Sequence, residues 1–141
     1  MKSNYLKYWR VIRYFVKAKY KLTQADLDIL FFLYDEEYFS KDKFNEFDEL
    51  LSWNVNRFDQ LLKNGWIEVF RKYNRKQKAI YKLSYKSVRL IVSIYNKLSG
   101  EEIPTSQSAN PMFARNVSYT DKVYRNMIIE MNKKIKEDRH N

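Results

Sequence analysis

The sequence predicts a mainly α-helical chain carrying a small β-hairpin, an α+β fold class. Three observations lead there. Two Gly and two Pro in 141 residues leave few places to break long helices. Apolar residues recur at spacings of three and four through most of the chain, and the period changes to two only after Gly65. A hydrophobic content of 45%, with 17% aromatic, is ample for the core of one domain of ordinary size.

The first helix is expected over residues 4–20, where Tyr5, Tyr8, Trp9, Ile12, Phe15 and Val16 share one face and Lys7, Arg10, Tyr14, Lys17 and Lys21 fall on another. A second follows Thr23, an N-cap, with Asp26 in the first turn where the helix dipole favours an acid, and Leu27, Leu30, Phe31 and Tyr34 along the stripe. Tyr38 and Phe39 suggest a short strand. Ser40 then caps a third helix bearing Phe44, Phe47, Leu50 and Leu51. Asn54 can cap a fourth helix, residues 55–64, whose core face is Val55, Phe58, Leu61 and Leu62; Gly65 stands where a left-handed C′ residue is needed. The third and fourth helices, joined by the tight segment Ser52-Trp53-Asn54, form a helix-turn-helix candidate.

Beyond Gly65, Ile67 and Val69 alternate with Glu68 and Phe70, and a second alternating run from Ala79 to Ser84 follows a polar interval with Asn74 at its tip. A hairpin over 68–83 is the reading, although the interval lacks Gly and leaves the turn type open. Ser84 caps a fifth helix with Val88, Ile91, Val92 and Tyr95 inward, ended by Gly100. Residues 100–119 hold both prolines and most small polar residues, and read as a linker. Thr120 opens a last helix to about Lys136, with Tyr124, Met127, Ile128, Met131 and Ile135 on one face. The expected organisation is one domain over 1–141: a core at 22–99, flanking helices at 1–21 and 120–138, and the linker between.

Charge is distributed in blocks. Residues 1–21 hold seven Lys/Arg and no acid, residues 22–50 nine Asp/Glu against two Lys, and residues 51–99 eleven Lys/Arg against Asp59 and Glu68. The net +10 is therefore concentrated on particular surfaces, which points to a polyanionic partner for those surfaces. The absence of cysteine excludes disulfides, thiolate metal ligation and a thiol nucleophile. No Gly-rich phosphate loop, placed histidine or carboxylate pair with a partner base stands out, so no enzyme, cofactor or metal is expected. No run of eighteen uncharged apolar residues occurs, and a cytoplasmic protein with no membrane partner is the expectation.

Three stretches resemble the MarR-like transcriptional regulators. "LTQADLDILFFL" is similar to their second helix, "LLKNGWIEVFRK" to the end of the recognition helix running through Gly into the first wing strand, and "AIYKLSYKSVRLI" to the second wing strand entering the next helix. The resemblance covers nearly the whole chain and implies a winged helix-turn-helix with additional N- and C-terminal helices. The chain departs from the family in "YNRKQK", which has Asn74 and Arg75 without the usual acid, and in Ser87, where a Gly is common after the "LS" cap. The family is also implied to form homodimers and often to hold a small-molecule effector, which the sequence leaves unidentified; Tyr34 is a candidate lining residue.

The implied partner is double-stranded DNA. Asn56, Arg57 and Gln60 are the candidates for base edges, since Asn or Gln pairs with adenine and Arg with guanine. Lys63 is assigned to phosphate or to a pair with Asp59. In the wing, Arg71, Lys72, Arg75, Lys76 and Lys78 place five cations in eight residues for the backbone or the minor groove. Interface candidates for the implied dimer are Tyr5, Trp9, Ile12, Phe15, Val16, Met127, Ile128, Met131 and Ile135, with packing inside one chain the equal alternative. Trp9, Trp53 and Trp66 read as core residues, and the acids at 35–37 as a solvated helix end. A regulator of bacterial or phage origin is the leading expectation; a winged-helix protein-interaction or assembly module, or a non-specific nucleic-acid binder, is the alternative.

Overall fold

A computed structural model describes residues 4–51 and 56–140. The described chain is mainly helical with one two-stranded antiparallel sheet: α1 Tyr5–Tyr20, α2 Gln24–Tyr34, α3 Lys41–Leu51, α4 Arg57–Lys63, β1 Ile67–Arg71, β2 Ile80–Leu83, α5 Tyr85–Leu98, a 3₁₀ turn Pro111–Phe113, and α6 Tyr119–Arg139. Among the described residues no helix is long and apolar enough to cross a membrane. The chain divides into two compact units, residues 23–92 and residues 1–22 with 93–141, so the boundary falls inside α5.

In the unit of residues 23–92, α2 begins with a full capping box: the Thr23 hydroxyl accepts from the Asp26 N–H and the Asp26 carboxylate accepts from the Thr23 N–H. Two otherwise orphaned donors are satisfied there. Ser40 accepts from the Lys43 N–H and caps α3. Leu27, Ile29, Leu30 and Leu33 of α2 are buried with Phe44, Phe58, Leu61, Trp66, Ile67 and Leu83. Phe58 meets Phe44 and Tyr81 edge to face, at 5.0 and 4.9 Å between ring centres, which favours their quadrupoles. The sequence-predicted stripe of α3 is corrected at Leu50, which is exposed, and at Asp48, which is buried in its place. On α5, which runs from this unit into the other, the inward face is likewise shifted: Ser87, Leu90 and Ile91 before the boundary and Ile94 after it are buried, whereas Val92 and Tyr95 are exposed. The polar Ser87 and Lys97 supply the missing members of that stripe, Ser87 donating to the Trp66 carbonyl and Lys97 to the Ser93 hydroxyl.

In the other unit, α1 and α6 pack together with the 3₁₀ turn. Ile12, Phe15 and Val16 on α1 and Ile128, Met131 and Ile135 on α6 are buried. Six of the nine dimer candidates are therefore core residues of a single chain; Trp9 and Met127 are half-buried, and Tyr5 is exposed. Tyr14, expected on the polar side of α1, instead stacks on Tyr124 with ring centres 3.9 Å apart and donates its hydroxyl to Asp121.

The expected linker at 100–119 is an ordered segment. Ile103, Asn110 and Met112 are fully buried. Asn132 of α6 clamps the Ile103 backbone, accepting its N–H at 2.9 Å and donating to its carbonyl at 2.8 Å. Asn110 donates to the Pro104 carbonyl and accepts from the Met112 N–H. Small polar residues suggested a loose connection because their composition does not show that buried amides would satisfy the backbone.

Candidate nucleic-acid interface

The hairpin leaves α4 through a tight reversal. Gly65 has φ +81°, its N–H bonds to the Leu62 carbonyl, and the next N–H, of Trp66, bonds to Leu61. These are the two bonds of a Schellman ending, which requires the left-handed conformation that glycine adopts without penalty. The Trp66 carbonyl then accepts from the Ser84 N–H and from the hydroxyls of Ser84 and Ser87, so both strands are tied at their base to the start of α5. Lys86 lies 3.9 Å from the Trp66 ring centre and donates to the Asn64 carbonyl at 2.9 Å, satisfying a terminal carbonyl of α4. Ser87, the departure from the family pattern, is fully buried and bonded there.

Above this base, Ile67 pairs with Leu83, Glu68 with Lys82, Val69 with Tyr81, and Arg71 with Ile80. Phe70 is the extra residue of a bulge, so the simple alternation expected for β1 ends at Val69. Phe39 bridges Tyr81 through bonds of 2.9 and 2.8 Å, which accounts for the short strand expected at Tyr38 and Phe39. At the tip, Asn74 and Gln77 exchange backbone bonds around Arg75 and Lys76. Both central residues keep negative φ, and the Asn74 side chain accepts the Lys76 N–H at 2.9 Å. Asparagine at the first turn position explains how the loop closes without Gly.

Arg71, Lys72, Arg75, Lys76 and Lys78 are all exposed along this arm, and no acid occurs between Val69 and Ser84. Arg71 also donates to the Lys78 carbonyl, bracing the arm past the bulge. Lys78 pairs with Asp42 at 2.9 Å, and that hydrogen bond, with the charge of Asp42, raises its pKa above the ordinary lysine value. Such a fully exposed pair is readily exchanged for a phosphate contact.

On α4, seven residues and roughly 10 Å long at 1.5 Å per residue, Gln60 and Lys63 are exposed, as are Asn56 before it and Asn64 after it. Asp59 shares that exposed side. Arg57 is a correction. It is only 5% exposed, and its guanidinium donates to Asp48 at 2.8 Å, to Asp26 and to Thr23. It stands four residues before Leu61, on the core face, and cannot present its fork to a base edge while held there. The signal in the sequence was Asp48, an acid within the apolar stripe of α3, which needs a buried cation.

Expectations for Ser52, Trp53, Asn54 and Val55, including the Asn54 cap, lie outside the described residues. Trp66 is buried as expected, Trp9 is half-buried, and Tyr34, the candidate effector residue, is exposed at the end of α2. Comparison with family models, with curated proteins and with solved structures gives no match.

Proposed function

We propose that this protein binds double-stranded DNA as a transcriptional regulator of the winged helix-turn-helix type, with α3 and α4 as the helix pair and the hairpin as the wing. The observation that carries this reading is the braced hairpin, whose five exposed cations follow directly on a short helix with Asn56, Gln60 and Lys63 on its outer side. A rigid arm of positive charge suits the phosphate backbone or the minor groove, and amide side chains suit adenine edges. The element order supports a MarR-like arrangement. Ile12, Phe15, Val16, Ile128, Met131 and Ile135 are buried in the single chain, and the proposal is made for the single chain.

Asn56 and Gln60 are assigned to the major groove, and Lys63, Arg71, Lys72, Arg75, Lys76 and Lys78 to phosphates. Arg57 has a positioning role, holding the start of α4 against α2 and α3. A second reading, a protein-interaction module, is favoured by two exposed apolar residues, Leu50 on α3, 76% exposed, and Phe32 on α2, whose ring lies 5.4 Å from that of Phe47 on α3.

Selection of bound duplexes from a random pool tests the proposal. An enriched motif that Gln60→Ala relaxes at one position supports sequence reading through α4. Retention with no enriched motif reduces the proposal to non-specific binding, and no retention at low salt favours the protein-interaction reading.

A further inference from the structure

We propose that the outer side of the hairpin is a stacking platform for unpaired nucleic-acid bases, formed by Phe70 and Tyr38 and bordered by Lys82, Arg71 and Lys72. The inference rests on the nucleic-acid reading above and extends its ligand to single-stranded segments.

The bulge is the first observation. Val69 pairs with Tyr81 and Arg71 with Ile80, so Phe70 has no cross-strand partner, and the extra residue re-aims its side chain away from the core. Phe70 is left 51% exposed and Tyr38 44%, with ring centres 4.2 Å apart. Lys82 stands 5.8 Å from the Phe70 ring centre and pairs with Glu68 on the opposite strand at 3.5 Å, while Glu37, next to Tyr38 in sequence, is exposed. Tyr73, 74% exposed, continues the aromatic character toward the tip.

A phosphate backbone needs cations and has no use for half-exposed rings. Unpaired bases use both, because each base offers a π-face and its phosphate needs a counter-charge. In a duplex the base faces are covered by their neighbours, so the rings can be occupied only by bases released from the stack. Lys82 beside the Phe70 ring, and Arg71 and Lys72, which follow Phe70 in the chain and are exposed, supply positive charge that complements such a strand and disfavours a cationic occupant.

Fluorescence anisotropy with the full chain tests this, using a labelled thymidine oligonucleotide of about 15 nucleotides, within the span that stacking grooves cover, and a duplex of equal length. The variants are Phe70→Leu with Tyr38→Leu, which keep apolar bulk and remove the π-faces, and Phe70→Trp. Thermal melts followed by circular dichroism show whether each variant is folded. The double leucine variant is expected to weaken single-strand binding about tenfold while changing duplex affinity less than about twofold, and Phe70→Trp is expected to retain it. Duplex binding with no single-strand binding, or single-strand binding that the leucine variant leaves intact, overturns the platform and leaves the duplex reading standing. Binding of neither form at low salt overturns both.

Discussion

Arg57 at the start of α4 donates from Nε to the Oδ1 of Asp48 on α3 at 2.8 Å, in a site where the arginine is 5% exposed. The same guanidinium reaches Asp26 and Thr23, the two members of the α2 capping box, so one side chain joins three helices. Removing one member of a buried ion pair leaves the others charged and unsatisfied. Arg57→Ala is therefore expected to cost about 3–5 kcal/mol in urea unfolding, far more than an exposed arginine on a recognition helix would. A loss under about 1 kcal/mol would show that Arg57 is not held in this network.

Gly65 offers a backbone test of the junction between helix and hairpin. A Cβ there would meet nothing within 4 Å, so Gly65→Ala reports only the cost of holding φ near +81°. About 1 kcal/mol of destabilisation is expected, seen as a lower urea midpoint with an unchanged slope.

Asn132→Ala tests whether residues 100–119 are tied down. The substitution strips both partners from the buried Ile103 backbone, at an expected cost of about 2–3 kcal/mol. Faster amide exchange of Ile103 should accompany it. Unchanged protection would mean that the clamp is not what orders this segment.

Tyr14 supplies a pH signature. Burial, and then its hydrogen bond to the Asp121 carboxylate, push its pKa up to about 12 from the ordinary 10. The neutral phenol is the form favoured by folding, so its stabilisation is present in full below about pH 10 and is lost as pH rises through about 12. Ultraviolet titration should show a late-ionising tyrosine signal that is absent in Tyr14→Phe.

Helix starts were legible at Thr23 with Asp26 and at Ser84 with Ser87, whereas α6 is capped by Ser118, which accepts the Asp121 N–H, and not by Thr120 as expected. Gly65 was legible because only a left-handed residue ends α4 in the required geometry. Arg57 was misread because its sequence neighbourhood is that of a surface helix, and its role depends on Asp48, nine positions away on another element. The segment 100–119 was misread for a related reason: its order comes from side-chain amides of Asn110 and Asn132, which carry no periodic signal. On α1 and α6 the apolar stripes were visible, but a stripe does not reveal whether it meets the same chain or a second copy. Within the hairpin, the cations were plain from composition, while the bulge that turns Phe70 outward depends on strand register.

If the cations of the hairpin meet DNA phosphates as proposed, the salt dependence of duplex binding by the wild type and by Arg75→Glu with Lys76→Glu will show it. If about six phosphates are neutralised, the logarithm of the binding constant should fall against the logarithm of salt concentration with a slope near −5. The double variant, altered only at the exposed hairpin tip, should keep its thermal stability and show a slope shallower by about two. A wild-type slope near zero, or a double variant that binds as the wild type does, would show that the hairpin does not meet DNA phosphates.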